Sequence, residues 1–162
     1  MILRFLRNKV VEVEPLSDGH LAVSWRLTDD LLKAEINLKV KPPELEIVEA
    51  EAILERVPPK AWLSASQLIK KVEGVRVGAG LRKIVRGLLG GPEGCSLLVY
   101  AVLEASNAVI LHFTRPGIQA GEKLEEEERM AMAKEMIKNN PRLIRSCVAY
   151  QDDSPIMQGL DL

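Results

Sequence analysis

One of the two cysteines, Cys95, follows a glycine-rich break and stands at the start of a long apolar segment. The break, Gly90–Gly94, holds three glycines and a proline, and the apolar run continues from Leu97. A helix that begins here directs free backbone N–H groups and its positive dipole end at the thiol, which favours the thiolate. A thiolate can act as a nucleophile, a redox group or a metal ligand. A small thiol that packs at the start of a core helix is the simpler interpretation, and both stay open.

The second cysteine, Cys147, could form a disulfide with Cys95, resolve its oxidation, share a metal with it, or be unconnected to it. A closed zinc or iron–sulfur site usually needs four ligands, and the chain has no CxxC pair and no histidine near either cysteine in sequence. We therefore assign no catalytic residue beyond the candidate thiol Cys95, and the sequence requires no cofactor. The candidate binding residues are Gly91, Gly94, Cys95 and Cys147, and a metal held by the two cysteines stays an alternative.

The two histidines do not suit a Cys–His catalytic pair. His112 lies on the same helical stripe as Cys95, but a continuous helix would separate them by roughly 25 Å. His20 lies beside a predicted turn, on the polar side of a strand.

The glycines could also prepare an anion site, because a glycine-rich loop before a helix offers backbone N–H groups. Neither GxxxxGK[ST] nor GxGxxG after a strand is present, so a nucleotide fold is not indicated. Three cations, Arg82, Lys83 and Arg86, precede the loop on one short helix. They predict either an anion-binding patch or a solvated basic face.

The composition narrows the class of protein. The chain has 162 residues, 47% of them hydrophobic, and a formal net charge of −1. A nearly neutral chain with two Trp, two Tyr and two Phe does not indicate a nucleic-acid binder. The N-terminus lacks a signal-peptide core, and the longest unbroken apolar run is short for a membrane span. We predict a cytoplasmic protein of one domain that does not bind membranes.

The first 57 residues predict antiparallel strands. Alternating apolar positions mark strands at Leu21–Leu27 and Leu32–Val40, and Val10–Glu14 should precede them across a turn. A further strand starts at Leu45 and keeps one apolar face if a bulge falls at Val48-Glu49. The lysines of the third strand should then face Glu44 and Glu46, as cross-strand charge pairs or as an acidic docking surface. We expect Val57-Pro58-Pro59 to end the sheet.

Residues 58–142 predict helices, and residues 143–162 a C-terminal strand or extended tail. Ser64 or Ser66 should cap a first helix that Gly74 stops. The remaining helices should cover about 79–89, 95–113, ending at Thr114–Gly117, and 122–138. The order of elements predicts an α+β fold: a meander of about four antiparallel strands, then about four helices on one face.

Four stretches carry a family resemblance: Val75–Val85, Leu88–Leu98, Ser146–Tyr150 and Asp153–Ile156. Together they resemble the bacterial domain-of-unknown-function family numbered 2889. In that family the first motif usually reads Gly-Cys-Thr-His-Leu, the second Cys-His, and a further cysteine often follows the proline after the sheet. This chain instead has Leu97, Val148, and the pair Ala61-Trp62. The resemblance implies Cys95 and Cys147 as the retained positions and supplies no reaction.

The order of sheet, helices and late cysteine also resembles NifU-type iron–sulfur scaffold proteins, and a NifU- or SufE-like architecture is implied. Three functions stay open. The first is a non-enzymatic binding or accessory protein, with a protein partner or as a homodimer, whose site surrounds the Gly90–Cys95 loop. The second is a thiol enzyme or redox protein that uses Cys95 with Cys147. The third is a residual metal or iron–sulfur carrier.

Overall fold

The computed structural model describes residues 4–56 and 60–160. Its sheet has four antiparallel strands in the order β1-β2-β3-β4. The strands are β1 (Asn8–Pro15), β2 (Leu21–Thr28), β3 (Lys33–Lys41) and β4 (Glu46–Glu55). Consecutive strands are neighbours throughout, so the predicted meander is confirmed.

Alternation of side chains decides which face of the sheet is buried. In β2 and β3 every second residue is buried, and Trp25, 0% exposed, lies between Val11 and Ile36 in the register. Lys39 pairs with Glu49 whereas the next residue pairs with Ile47. Val48 is therefore the extra residue of a bulge, as predicted, and the bulge keeps the apolar positions of β4 on the buried face.

Cross-strand charge pairs stabilise the open face of the sheet. Lys33 forms an ion pair with Glu55 at 2.5 Å, and Lys39 approaches Glu49 at 3.8 Å. The expected partner Glu46 lies opposite Lys41, but Glu44 belongs to the turn rather than to a strand. Its place in the pairing was predicted wrongly because the turn uses four residues, which delays the start of β4.

Four longer helices follow the sheet within the described residues. They are a 3₁₀ helix (Lys60–Val72), α1 (Leu81–Leu89), α2 (Ser96–Gly121) and α3 (Glu126–Asn139). The 3₁₀ helix begins before both serines that were expected to cap it, and the Ser66 hydroxyl instead donates to the Leu63 carbonyl at 2.9 Å. It ends before Gly74, whose φ of +86° suits a helix stop. The predicted end of the sheet at residues 57–59 lies outside the described residues.

The helix α2 continues through Pro116 to Gly121, so the expected end at Thr114–Gly117 was wrong. A proline inside a helix removes one backbone donor and crowds one carbonyl, that of His112, while later residues can still bond. The helical pattern indeed persists, since the Glu122 N–H donates to the Ile118 carbonyl at 3.0 Å. By length and composition α2 could cross a membrane, a property that core helices of soluble proteins share.

The core lies between the sheet and three of the helical segments that follow it: the 3₁₀ helix, α1 and the first half of α2. The buried faces of β2, β3 and β4 form one cluster with side chains of the 3₁₀ helix, α1 and the first half of α2. Its fully buried helical members are Ile69, Val72, Val85, Leu89, Leu98, Ala101, Val102, Ala105 and Val109. Burial of these apolar groups is the main stabilising term of the fold. The structure confirms the α+β class.

The chain groups into two compact units, Met1–Phe113 and Thr114–Leu162. In the second unit, one 3₁₀ turn, Pro141–Leu143, ends where the segment expected as a strand or extended tail begins, and another, Val148–Tyr150, lies within that segment. Between them the Arg145 N–H donates to the Tyr150 carbonyl at 2.9 Å, which closes a local loop. Because these backbone groups form a hydrogen bond within a local loop, they are not available for the regular cross-strand hydrogen bonds of a β-strand.

A buried carboxylate, Asp29, closes the turn between β2 and β3. Its side chain is 0% exposed and accepts from the N–H groups of Leu31 and Leu32 at 2.8 and 2.7 Å and from Arg7 Nε at 2.7 Å. Burial raises the pKa of Asp29, but these donors outweigh it and hold the pKa below its ordinary 3.8. Because the pKa of Asp29 is lower in the folded than in the unfolded chain, its ionised carboxylate stabilises the fold at pH values above the ordinary pKa. This stabilisation is lost as the pH falls through the folded pKa.

We expect Asp29→Asn to lower the melting temperature at pH 7 by several degrees, because an amide cannot accept from three donors with full charge. The difference from the unsubstituted protein should shrink as pH falls below about 4. Circular dichroism melts between pH 7 and pH 2 measure both effects. The exposed neighbour Asp30, changed to Asn, serves as the control. A difference that stays constant down to pH 2 contradicts this role of the charge.

Candidate functional site

The loop Gly90–Gly94 joins α1 to α2 through close backbone contacts. The Cys95 N–H donates to the Leu89 carbonyl at 2.6 Å, and the Gly94 N–H donates to the Gly91 carbonyl at 3.1 Å. A Cβ on Gly94 would overlap the carbonyl oxygens of Leu89 and Gly90. Gly91 has a φ of +80°, in the region that side chains disfavour. The loop therefore needs its glycines for its own closure.

This loop forms one end of a groove of about 560 Å³ that lies between α1 and α2. One wall is cationic and comes from α1, and the other is largely apolar and comes from the start of α2. The lining residues are Arg82, Arg86, Gly90, Gly91, Gly94, Ser96, Val99, Tyr100 and Leu103. None of them is acidic, so the groove concentrates positive charge beside an apolar surface.

The two arginines of the groove lie one helical turn apart on α1. Both are exposed, and within the described residues neither Arg82 nor Arg86 has an ion-pair partner. The first hydrogen bond of the α2 start runs from the Val99 N–H to the Cys95 carbonyl at 3.2 Å. The preceding amides, including that of Ser96 in the groove, therefore have no acceptor inside the helix. Both features favour a negatively charged occupant.

A polar cluster around the buried Trp25 positions the apolar wall. Trp25 Nε1 donates to Glu104 Oε2 at 2.7 Å, and Lys9 Nζ donates to Glu104 and, at 2.8 Å, to Tyr100 Oη. Tyr100 meets the indole of Trp25 edge-on with ring centroids 6.4 Å apart, and its own ring lies 4.9 Å from Lys9 Nζ. The cluster links β1 and β2 to α2 and holds Tyr100 at the groove.

The charges within this cluster are mutually stabilised. Burial raises the pKa of Glu104, but hydrogen bonds from Lys9, Trp25 and Tyr100 outweigh it and hold the pKa below its usual 4.5. The hydrogen bonds to Glu104 and Tyr100 in turn raise the pKa of Lys9. Both groups are therefore charged at neutral pH, and Lys9 is neutralised locally rather than available to a ligand.

The four predicted binding residues do not all lie at the groove. Gly91 and Gly94 line the groove, whereas Cys95 lies directly after it, half-buried and packed against the core. Cys147 is exposed and precedes the turn Val148–Tyr150 in the second unit. Both thiols are free, so no disulfide joins them. Within the described residues, no group of three or more His, Cys, Asp or Glu side chains is arranged to hold a metal.

Two parts of the site were missed from the sequence. The apolar wall is one of them: Val99 and Leu103 pack against the core and also line the groove, and spacing of three and four residues on α2 places them on one stripe with Tyr100. The link between Trp25 and Glu104 spans 79 residues, and no local pattern indicates it.

Comparison with known proteins adds one finding. The family model described as protein of unknown function (DUF2889) matches residues 29–111, about half of the chain. The matched segment contains every residue that lines the groove. No curated protein and no solved structure matches, so the similarity to NifU-type scaffold proteins has no support from these comparisons.

Proposed function

We propose that this chain, which belongs to the DUF2889 family, is a non-enzymatic binding module whose groove between α1 and α2 receives an acidic segment of a protein partner. One observation carries the proposal: Arg82 and Arg86 line a groove that contains no carboxylate. An arginine fork binds a carboxylate through two parallel hydrogen bonds, which adds geometry to charge.

The opposite wall narrows the chemistry of the partner. Val99, Tyr100 and Leu103 offer apolar contact in the same groove as the arginines. A segment that presents carboxylates beside apolar side chains satisfies both walls. An amphipathic acidic helix has this character and binds grooves between helices in the same way.

The lining residues support binding rather than reaction. None of them carries an imidazole, a thiol or a carboxylate, so the Ser96 hydroxyl, which does line the groove, has no general base in the lining to activate it. The nearest thiol, Cys95, packs against the core instead of lining the groove. We further propose, from composition, that the module acts in the cytoplasm. Redox or metal roles for Cys95 and Cys147 stay predictions.

The proposal is tested by titrating the ¹⁵N-labelled protein with a hexaglutamate peptide and recording amide chemical shifts. We expect saturable shifts at Gly91, Gly94 and Ser96, because these amides border the cationic wall. The double variant Arg82→Gln/Arg86→Gln should bind at least about tenfold more weakly, since a charge-assisted hydrogen bond contributes about 1.4 kcal/mol or more. Added salt should weaken binding as well.

The matched control is Lys83→Gln, which removes the same charge from the same helix but lies outside the groove lining. It should bind hexaglutamate almost as the unsubstituted protein does. Shifts that are absent at the loop, or an equal loss in the control variant, would contradict a specific site. A general attraction between a basic surface and an acidic peptide would then be the remaining explanation.

A further inference from the structure

Most residues of helix α3 are exposed or half-exposed. Of its 14 residues only Ile137 is buried. Met132 and Met136 are each 43% exposed, although methionine prefers apolar surroundings. A helix of this length is marginal in water without tertiary packing, so a partner surface for α3 is expected.

The start of α3 is strongly acidic. Glu125 and Glu128 form a reciprocal capping box, and Glu126 pairs with Arg129 on the same helix at 2.8 Å. Glu127 has no ion-pair partner within the described residues. Next along this face come Met130 and Ala131, which with Glu126, Glu127 and Lys134 line a shallow surface groove. The helix therefore presents carboxylates first and apolar groups one turn later.

We propose that the protein is a dimer in which the first turns of α3 from each copy bind in the groove between α1 and α2 of the other copy. The inference rests on the proposed function, and it names the acidic segment that the groove receives. The carboxylates of Glu126 and Glu127 meet Arg82 and Arg86, and Met130 meets the apolar wall.

Charge complementarity between two exposed surfaces of one chain favours a second copy as the occupant. The groove offers cations beside apolar groups, and the start of α3 offers carboxylates beside apolar groups. In a dimer with two-fold symmetry each copy donates one helix and receives one, so every contact occurs twice. The second copy thus contributes the acidic residues that the site itself lacks.

The test measures the oligomeric state of the full chain by sedimentation equilibrium and native mass spectrometry across a range of concentrations. The unsubstituted protein should weigh about 36 kDa, twice the 18.0 kDa of one chain. Arg82→Glu/Arg86→Glu should be a monomer, and so should Glu126→Lys/Glu127→Lys. Combining all four changes restores opposite charges across the interface and should restore the dimer. Lys83→Glu is the matched control and should remain dimeric.

Circular dichroism melts check that each variant folds. If a charge reversal unfolds the chain, Glu126→Gln/Glu127→Gln replaces it, with dimer dissociation expected at a roughly tenfold higher concentration. A monomer at every concentration overturns the inference. A dimer that none of the reversals weakens also overturns it, as does the absence of rescue in the fourfold variant.

The failure of this inference is distinguishable from the failure of the proposed function. Hexaglutamate is titrated into Glu126→Lys/Glu127→Lys, whose groove is intact. If the unsubstituted chain is monomeric but this variant binds hexaglutamate at the loop, the exchange is wrong and the groove remains a site for another acidic partner. If hexaglutamate fails to bind, both proposals are wrong.

Discussion

Replacing Gly94 by alanine should lower the free energy of unfolding by about 3 kcal/mol and abolish binding of hexaglutamate. The added Cβ would overlap the carbonyl oxygens of Leu89 and Gly90, which are backbone atoms and cannot rotate away. The Leu89 carbonyl also accepts from the Cys95 N–H at 2.6 Å, so moving it breaks the contact that closes the loop. Urea unfolding followed by circular dichroism measures the loss.

Helix α1, which precedes the loop, supplies a matched control for this substitution. Gly87 lies exposed within α1, and a Cβ there would meet nothing within 4 Å. Gly87→Ala should therefore raise the free energy of unfolding by about 0.5–1 kcal/mol, because alanine loses less backbone entropy in a helix than glycine does. Equal stability of the Gly94 and Gly87 variants would mean that the loop relaxes freely and does not shape the groove.

Glu104→Ala should lower the free energy of unfolding by about 2–3 kcal/mol at pH 7. Trp25 is 0% exposed, and the substitution removes the carboxylate that accepts from its indole N–H at 2.7 Å. It also leaves the ammonium of Lys9 without its counter-charge. Glu104→Gln keeps an oxygen for Trp25 but loses the charge, so it should cost only about 1 kcal/mol.

The pH dependence of the free energy of unfolding distinguishes the contribution of the Glu104 charge from that of its hydrogen bond to Trp25. Because the folded pKa of Glu104 lies below its ordinary 4.5, the carboxylate stabilises the fold above that value, and the contribution disappears as pH falls through the folded pKa. The gap between the unsubstituted protein and Glu104→Gln should therefore close at acidic pH, while the gap to Glu104→Ala should persist in part. Urea unfolding at pH 7 and pH 3 provides the comparison. A gap to Glu104→Gln that does not depend on pH contradicts the ionic part of this role.

These two substitutions act on two different parts of one groove. Gly94 determines the path of the loop that lines the groove, and Glu104 binds Lys9, which in turn donates to Tyr100 of the apolar wall. A stable Glu104→Gln variant that binds hexaglutamate less well would show that the position of Tyr100 matters for recognition as well as for folding.

Much of the fold follows from local patterns in the sequence. The alternation of apolar residues in β2 and β3 predicts the strands and their buried face, because successive side chains of a strand point to opposite sides. The bulge at Val48 is predictable for the same reason, since without it the apolar positions of β4 would change faces. The glycine loop was predicted as the place of the site because glycines mark the end of one helix and the start of the next.

Other features depend on the environment of each residue. Pro116 is a strong local stop signal, yet α2 continues past it, since one lost hydrogen bond does not outweigh the helix on both sides. Cys95 carried the chemical interpretation of the sequence, yet its half-buried place against the core and outside the lining favours packing. The three cations of α1 are typical of a solvated face as well as of an anion patch, and it is the groove that places Arg82 and Arg86 in one wall.

The sequence by itself determined the α+β class, the meander, the bulge and the position of the glycine loop, since each depends on side-chain period or backbone freedom within a few residues. Only the tertiary structure decided that α1 and α2 enclose a groove, that its cations lack carboxylates, and that Glu104 joins Trp25 across 79 residues. Contacts between distant residues depend on how whole elements pack, and packing is set by the shapes of buried side chains that no local pattern encodes.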